Sequence, residues 1–427
     1  MCARRFFLVF LFTAVLLTAS DNALADKYRL GKEIQITICD GDPPLRDHTS
    51  PAVAYNRHQK EYLVVESSEH RYSHWHQISA YRVSPNGSKT DLGIVSTGSS
   101  CTSPDVAYDP QNGRYLIVWE QYNFDTSRRE IYGRIIPWNS LGTNEPFVIA
   151  AYSNSSLMFP AVAFGYNHQT GSYHYIVVCS ASGTLEGIVY NLVSVDGSPR
   201  IWLDVIDSAP GPLYSFSDIS FNMATAEFLV VWEKNGGDSG MDIYGVRLNM
   251  DGHLQGAIFP INSATHDDLR PAVTTNTQHR YLVAWQHDYG GSNTDWDIRG
   301  QFLDASGGKV GGVQSIAITV DNEKYPALAA SGGIEEYLAV WQKRTEFRHG
   351  ILGRLLYTDF SALGSFEIAP PGGGYNEYPA AGCHNSGYLV TYSRDPLDPT
   401  IYGDIYGRML LEPRVVNPGL WLLLLGN

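Results

Sequence analysis

The segments Pro104-Asp-Val-Ala-Tyr108, Tyr115-Leu-Ile-Val-Trp119 and Ile131-Tyr-Gly-Arg134 contain the pattern that predicts the fold of this chain. The first segment reads as an apolar strand. The second is apolar on both alternating faces, which indicates a strand covered on both sides. A third strand follows a variable loop, and a turn such as Met250-Asp-Gly252 leads to a fourth strand. One unit therefore predicts four short strands.

This unit recurs along the chain. Successive copies begin 53 to 57 residues apart, near Pro51, Pro104, Pro160, Ser217, Pro271, Pro326 and Pro379. Four strands in about 55 residues is the length of a propeller blade, whereas a β-helix rung is less than half as long. The sequence thus predicts an all-β fold, a seven-bladed β-propeller of four-stranded antiparallel blades.

The two ends of the repeat region complement each other. The seventh copy has three strands and finishes at Ile405–Leu411, while Gly31-Lys-Glu-Ile-Gln-Ile-Thr37 matches the fourth-strand pattern of Gly364-Ser-Phe-Glu-Ile-Ala369. We predict that residues 31–39 complete the last blade and close the ring, which leaves no unpaired strand edge there. The alternative is two smaller β domains, for which the complementary ends would be a coincidence.

Residues 1–25 have the pattern of a signal peptide. Arg4 and Arg5 precede the apolar run Phe6–Ala19, and Ala23-Leu-Ala25 is a small-x-small cleavage site. We therefore expect a protein secreted to the periplasm or the cell exterior after cleavage near Ala25. The propeller is predicted over residues 26–413. The tail, residues 414–427, contains Trp421-Leu-Leu-Leu-Leu425, which is too short to span a membrane.

Composition limits the partners and cofactors. The formal net charge of −14 argues against nucleic acid and anionic membrane surfaces, which both reward cationic patches. No motif indicates a cofactor, and a bound divalent cation has no motif to support it. Beyond the signal peptide the cysteines are Cys39, Cys101, Cys179 and Cys383. Three disulfide pairings remain open, and the oligomeric state is not constrained.

The PAVAY, YLVVW and DIYGR segments resemble a broad group of exported bacterial β-propeller repeat proteins. The resemblance covers residues 31 to about 411 and implies the propeller architecture. It implies no single activity, because propellers host binding, scaffolding and many chemistries.

The loops that join the second strand to the third, and one blade to the next, are long and irregular, so we expect function on that face. The loop of the first repeat groups Tyr72, His74, Trp75 and His76, which are candidate ligand contacts. The imidazoles of His70, His74 and His76 are a weaker candidate metal site. The alternative is an exposed polar loop with an aromatic lid.

Two further positions are notable. An acidic residue precedes the third strand in four copies, at Glu130, Asp242, Asp297 and Asp404, and such repetition favours a structural role over a cation-binding annulus. Glu66 stands where other copies have an aromatic residue or Cys. We expect its carboxylate to be paired or to have a raised pKa, in a first blade that opens to solvent at this point.

Two functions remain open. The leading hypothesis is a non-catalytic binding or scaffold protein that recognises a glycan or a protein through the long-loop face. The alternative is a propeller-fold polysaccharide lyase or glycoside hydrolase, which should show paired carboxylates or a His–Tyr–Arg cluster in a cleft.

Overall fold

The computed structural model describes residues 27–38, 46–70, 75–98, 100–211, 213–235, 240–263, 265–276, 280–290, 295–331, 335–345, 348–372, 374–384, 387–397 and 403–412. These residues form an all-β structure of 28 strands. Their pairing is antiparallel within each repeat, as the alternating and doubly apolar segments predict.

The first strand, β1, spans Arg29–Gln35. Five four-stranded sheets follow, each with its strands in chain order. The first sheet contains β2 (Arg46–Asn56), β3 (Glu61–His70), β4 (His76–Val83) and β5 (Lys89–Ile94), and the second contains β6 (Cys101–Asp109), β7 (Arg114–Asn123), β8 (Arg128–Pro137) and β9 (Phe147–Ala150). The third contains β10 (Ser155–Tyr166), β11 (Tyr173–Gly183), β12 (Gly187–Val193) and β13 (Pro199–Ser208), and the fourth contains β14 (Tyr214–Asn222), β15 (Glu227–Asn235), β16 (Met241–Asn249) and β17 (Leu254–Asn262). The fifth contains β18 (Asp268–Thr275), β19 (Tyr281–Asp288), β20 (Trp296–Leu303) and β21 (Lys309–Ala317).

The remaining strands and β1 form one eight-stranded sheet. They are β22 (Asn322–Ala330), β23 (Glu336–Arg344), β24 (His349–Tyr357), β25 (Phe366–Ala369), β26 (Tyr375–His384), β27 (Gly387–Asp395) and β28 (Asp404–Leu411). Its two halves meet at a single parallel bridge between His349 and Tyr375. In one half β25 pairs with β24, and in the other β1 pairs with β28.

The hydrophobic core lies between neighbouring sheets. Trp232 of β15 is fully buried and belongs to a cluster that joins β10–β12 to β14–β16. On the other face of the same strand, Leu229 and Val231 join a cluster with Val283 and Trp285. The second strand of the repeat is therefore covered on both faces, in agreement with its doubly apolar sequence.

The N-terminal strand is held at the edge of β28 by main-chain pairing and by side chains. The carboxylate of Glu33 accepts two hydrogen bonds from Arg394, at 2.6 and 2.9 Å. Thr37 donates to Asp404 Oδ1 at 2.9 Å and accepts the main-chain N–H of Ile405 at 2.8 Å. Ile36 is buried in the same interface. β1 therefore covers the outer edge of the seventh repeat.

Two of the cysteines are free thiols buried in the core, Cys101 and Cys179. Burial raises the pKa of the Cys101 thiol to about 11. Cys39 lies outside the described residues. Among the residues that the structure does describe, no helix is long and apolar enough to cross a membrane.

Candidate functional site

The first strands of the seven repeats, here called the inner strands, line one open cavity, which we call the central cavity. These strands are β2, β6, β10, β14, β18, β22 and β26, which lie side by side in chain order, with β26 beside β2. The cavity has a volume of about 650 Å³ and is lined by residues from all seven of these strands. Each strand carries a break in its register with the second strand of its repeat, a β-bulge.

The bulge places one residue of every inner strand in the left-handed region, with φ between 39 and 55°. These residues are Ser50, Ser103, Phe159, Phe216, Arg270, Tyr325 and Tyr378. All seven line the central cavity, and we call them the mouth ring. A non-glycine residue at positive φ is uncommon and strained. The same strained conformation at seven equivalent positions around one cavity indicates that the ring is a regular structural feature of the repeat.

Five members of the mouth ring form a continuous arc of side chains in contact, Phe159, Phe216, Arg270, Tyr325 and Tyr378. The rings of Phe159 and Phe216 are 4.0 Å apart between centroids, and those of Tyr325 and Tyr378 are 4.9 Å apart. The guanidinium carbon of Arg270 lies 3.3 Å from the Phe216 centroid and 5.3 Å from that of Tyr325. The remaining two positions are Ser50 and Ser103, whose small side chains leave that side of the ring open.

Side chains from the preceding repeat hold the strained bulges in place. The main-chain N–H of Phe159 donates to Glu120 Oε2 at 3.0 Å, and that of Tyr325 donates to Gln286 Oε1 at 3.1 Å. The N–H of Arg270 donates to Glu233 Oε2 at 2.7 Å. Each acceptor directly follows the buried tryptophan that ends the second-strand motif. The Trp-Glu or Trp-Gln pair therefore anchors the mouth ring of the next repeat.

Arg270 differs from the other charged groups near the cavity. Within the described part of the chain, no carboxylate lies within ion-pair distance of its guanidinium and no group accepts a hydrogen bond from it; its side-chain contacts are the two aromatic faces. The pKa of the guanidinium is lowered, because the effect of burial exceeds the opposing effect of the nearby Tyr325, Glu233 and Tyr378. Glu233 bonds the main chain of Arg270, so its carboxylate does not occupy the guanidinium donors, and no other described group does.

Two carboxylates line the same cavity, each placed just after the mouth-ring residue of its strand. Asp105 accepts the main-chain N–H of Val162 at 2.8 Å, and Asp218 accepts that of Val273 at 2.7 Å. Burial raises the pKa of Asp105 to about 7, with a contribution from the charge of Asp218. Burial likewise raises the pKa of Asp218 to about 6. Both groups therefore change charge near neutral pH.

The candidate loop of the first repeat is only partly described. Tyr72 and His74 lie outside the described residues, as does the side chain of His70. Trp75 is 54% exposed, and His76 is half-buried at the start of β4, opposite Glu69. Among the described residues there is no group of three or more His, Cys, Asp and Glu side chains that could hold a metal ion. The ligand and metal hypotheses for this loop remain predictions.

Glu66 is completely buried rather than open to solvent, so the expectation of a solvent-exposed opening in the first repeat is wrong. Its Oε2 lies 3.1 Å from Nδ1 of His48, which is also buried. Glu66 is therefore buried as fully as the tryptophans at the equivalent position of other repeats. The expected pairing of the carboxylate is therefore present in this His–Glu contact.

The four repeated acidic residues are buried and lie within the first three residues of the third strands rather than before them. Glu130 accepts from Asn123 Nδ2 at 3.0 Å, and Asp404 accepts from Gln35 Nε2 at 2.7 Å as well as from Thr37. Asp297 lies 3.6 Å from Arg299, and Asp242 is also buried. Arg134 donates to main-chain carbonyls rather than to Glu130. Their contacts are with neighbouring strands and loops of the protein.

Sequence reasoning missed the mouth ring. Its signal is the residue before the recurring opening of each repeat, which reads Ser, Ser, Phe, Phe, Arg, Tyr, Tyr in chain order. The variation from small to aromatic at this repeat position contrasts with the core position that ends the second-strand motif, where four of the seven copies have tryptophan. The sequence shows this contrast, but it does not show that these residues converge on one cavity.

Comparison with known proteins identifies the fold. No protein-family model matches the chain, and no curated protein matches it in sequence. Among solved structures, the chain is similar to the phage phi92 endosialidase, with TM-score 0.54, 9% identity and coverage of 89% of this chain and 69% of that one. It is also similar to the polysaccharide lyase Uly1, with TM-score 0.51, 10% identity and coverage of 90% and 99%. The Dos1 propeller gives TM-score 0.49 at 10% identity, with coverage of 90% and 95%. With its four-stranded antiparallel sheets, the chain has the β-propeller fold; at these identities the similarity extends no further than the fold.

Proposed function

We propose that this chain is an exported, non-catalytic binding protein that takes a glycan ligand at the mouth ring. The observation that carries the proposal is the arc from Phe159 to Tyr378, in which four aromatic rings and one guanidinium line an open cavity. Aromatic side chains provide large contact area at low entropic cost, and tyrosine adds a hydroxyl for hydrogen bonding. A sugar ring offers the complementary surface, an apolar face of C–H groups bordered by hydroxyls.

The geometry of the arc suits a ligand that enters from solvent. Tyr378 is 37% exposed, and the other members of the arc are half-buried. Three of the five bulges in the arc are anchored by Glu120, Glu233 and Gln286, so their main chains are fixed before any ligand arrives. Preorganised side chains lose little entropy on binding, which raises affinity. Ser50 and Ser103 leave room on the other side of the ring for the rest of the ligand.

The finer architecture belongs to the same proposal: a closed ring of seven four-stranded blades, with β1 completing the last one. Its support is the pairing of β1 with β28 and the contact of β26 with β2. Closure matters for binding because it holds seven inner strands around one cavity. An open arrangement would let the mouth ring spread and would leave a strand edge exposed.

The test is a glycan array with the mature protein and its variants. In the Tyr325→Ala/Tyr378→Ala double variant, affinity for any glycan bound by the wild type should fall at least about tenfold. The matched control is Tyr173→Ala, because Tyr173 is also 37% exposed but starts β11, at the opposite end of the sheet from the bulges. Equal binding by the double variant and the wild type would remove the mouth ring from the site. A wild-type protein that binds no glycan would overturn the proposed function.

A second candidate, a polysaccharide lyase or glycoside hydrolase, has one observation in its favour. Asp105 and Asp218 line the same cavity with pKa values of about 7 and about 6, so that one can be protonated while the other is ionised. Each carboxylate also bonds a main-chain N–H of a neighbouring inner strand, which is a sufficient structural reason for its position. Incubating any bound glycan with the wild type and with Asp218→Asn separates the two functions. Cleavage that the variant loses would make the protein an enzyme.

A further inference from the structure

The mouth ring contains one cationic group, Arg270, in a protein with a formal net charge of −14. Arginine near a protein surface normally pairs with a carboxylate, and this chain has 44 acidic residues from which a partner could have been drawn. The guanidinium of Arg270 instead stacks on Phe216, with Tyr325 on its other flank. Its position is fixed by aromatic faces, and no described residue accepts a hydrogen bond at the edge of the guanidinium plane.

We infer that Arg270 binds a carboxylate of the ligand, so that the glycans recognised at the mouth ring are acidic sugars. This inference rests on the proposed function. A guanidinium presents its N–H donors in a planar fork that matches a carboxylate in two parallel hydrogen bonds. Stacking covers the faces of that plane and does not use its donors. A uronate or sialate residue would place its carboxylate on the fork and its ring against Tyr325 or Tyr378.

The anchoring of the arginine supports this assignment. The charge of Glu233 raises the pKa of Arg270, and the Glu233 carboxylate accepts the main-chain N–H of the same residue at 2.7 Å. That bond holds the bulge and keeps the carboxylate away from the guanidinium donors. Among the residues that the structure describes, a ligand carboxylate therefore has no ion pair of Arg270 to displace, and such a displacement would cost much of the binding energy.

The carboxylates that line the cavity also restrict which anions the site can bind. Asp105 and Asp218 line the same cavity and oppose an anion when they are ionised. A single carboxylate held by a bidentate fork can tolerate this field. A polyanion bound only by its overall charge would be repelled. The site should therefore distinguish a carboxylated sugar from a densely sulfated chain.

The experiment titrates the mature protein with oligosaccharides of galacturonate, glucuronate and sialic acid, each paired with its carboxyl-methylated form, and with a sulfated galactan. We expect at least one acidic oligosaccharide to bind at least about tenfold more tightly than its methyl ester. Arg270→Gln should remove that preference, and Arg270→Lys, which keeps the charge but loses the fork, should retain only part of it. The control is Lys309→Gln, which removes one positive charge from an exposed position at the start of β21.

The outcomes separate the two proposals. Equal affinity for acid and ester, tighter binding of the sulfated galactan, or an unchanged preference in Arg270→Gln would overturn the carboxylate assignment and leave glycan binding at the mouth ring in place. Absence of binding to every oligosaccharide of the series and to the glycan array would overturn both. Thermal melting of each variant shows whether it is folded, and Arg270→Lys keeps the test informative if Arg270→Gln is not.

Discussion

The guanidinium carbon of Arg270 lies 3.3 Å from the centroid of the Phe216 ring, while the main-chain N–H of Arg270 donates to Glu233 at 2.7 Å. One residue thus uses its main chain for folding and leaves its side chain for the cavity. The same division holds at Phe159 and Tyr325, whose main chains are held by Glu120 and Gln286. The scaffold can therefore vary the mouth-ring side chains without altering the bonds that hold the bulges.

The tryptophans of the second strands should be far more important for stability than the loop tryptophan. Trp232 is fully buried between two sheets and stacks with Tyr244 at 6.4 Å, whereas Trp75 is 54% exposed. Trp232→Ala should lower the free energy of unfolding by about 3–5 kcal/mol because it leaves a large cavity. Trp75→Ala should change it by less than about 0.5 kcal/mol. Denaturant unfolding measures both, and equal losses would contradict the division into core and loop tryptophans.

Removal of residues 27–38 should expose the edge of β28 and lower both the melting temperature and the solubility. The milder variant Glu33→Gln weakens the bidentate pair with Arg394 and should cost about 1–2 kcal/mol, because that pair is half-buried. Thermal melting and light scattering provide the measurements. A truncated protein that melts at the wild-type temperature and stays monomeric would show that β1 does not close the fold.

Stability should fall as pH rises through the range set by Asp105. Its pKa is about 7 in the folded protein against an ordinary value of 3.8, so between about pH 4 and pH 7 the folded state retains a proton that the unfolded state has released. The free energy of unfolding contributed by this group therefore decreases over that range and is constant above it. Asp105→Asn keeps the acceptor for Val162 and removes the charge. It should be more stable than the wild type at about pH 8 by about 1–3 kcal/mol. This is less than the full pKa shift corresponds to, because the side chain faces an open cavity where solvent screens its charge.

The comparison at about pH 4 and about pH 8 isolates Asp105 from the other titrating carboxylates. The gain from Asp105→Asn should vanish at the lower pH, where the wild-type side chain is protonated in the folded state. Asp251→Asn, in an exposed turn, is the control for the general effect of an Asp-to-Asn substitution. A gain of the same size at the lower pH would mean that the substitution acts through packing rather than through charge.

The loop of the first repeat should contribute to ligand binding if its cluster of aromatic and imidazole side chains has a function. The triple variant Tyr72→Ala/His74→Ala/Trp75→Ala should lower the affinity for any glycan found in the array while the melting temperature stays the same. Affinity that depends on this loop should also change between about pH 5 and 8, where histidine changes charge. Unchanged affinity in a folded variant would leave the mouth ring as the sole candidate site.

Much of the fold was predictable because the repeat is encoded by short-range patterns. The two apolar faces of segments such as Phe228-Leu-Val-Val-Trp232 predict a strand buried on both sides, and Trp232 is buried in this way. The sequence wrongly predicted that Glu66 would be open to solvent, because its partner His48 lies on the adjacent strand β2. A pairing across strands depends on register, and the bulge after Thr49 shifts that register by an amount that local sequence patterns do not reveal.

By itself, the sequence determined the repeat, the four-stranded unit, the doubly buried second strand and the core position of the tryptophans. These follow from alternation and spacing within a few residues, where side-chain periodicity and strand geometry coincide. Only the tertiary structure decided that Phe159, Phe216, Arg270, Tyr325 and Tyr378 meet around one cavity, although more than 200 residues separate the first from the last. Their contacts arise because each inner strand presents the same bulge toward a common cavity, and that convergence is a property of how the sheets are arranged in space.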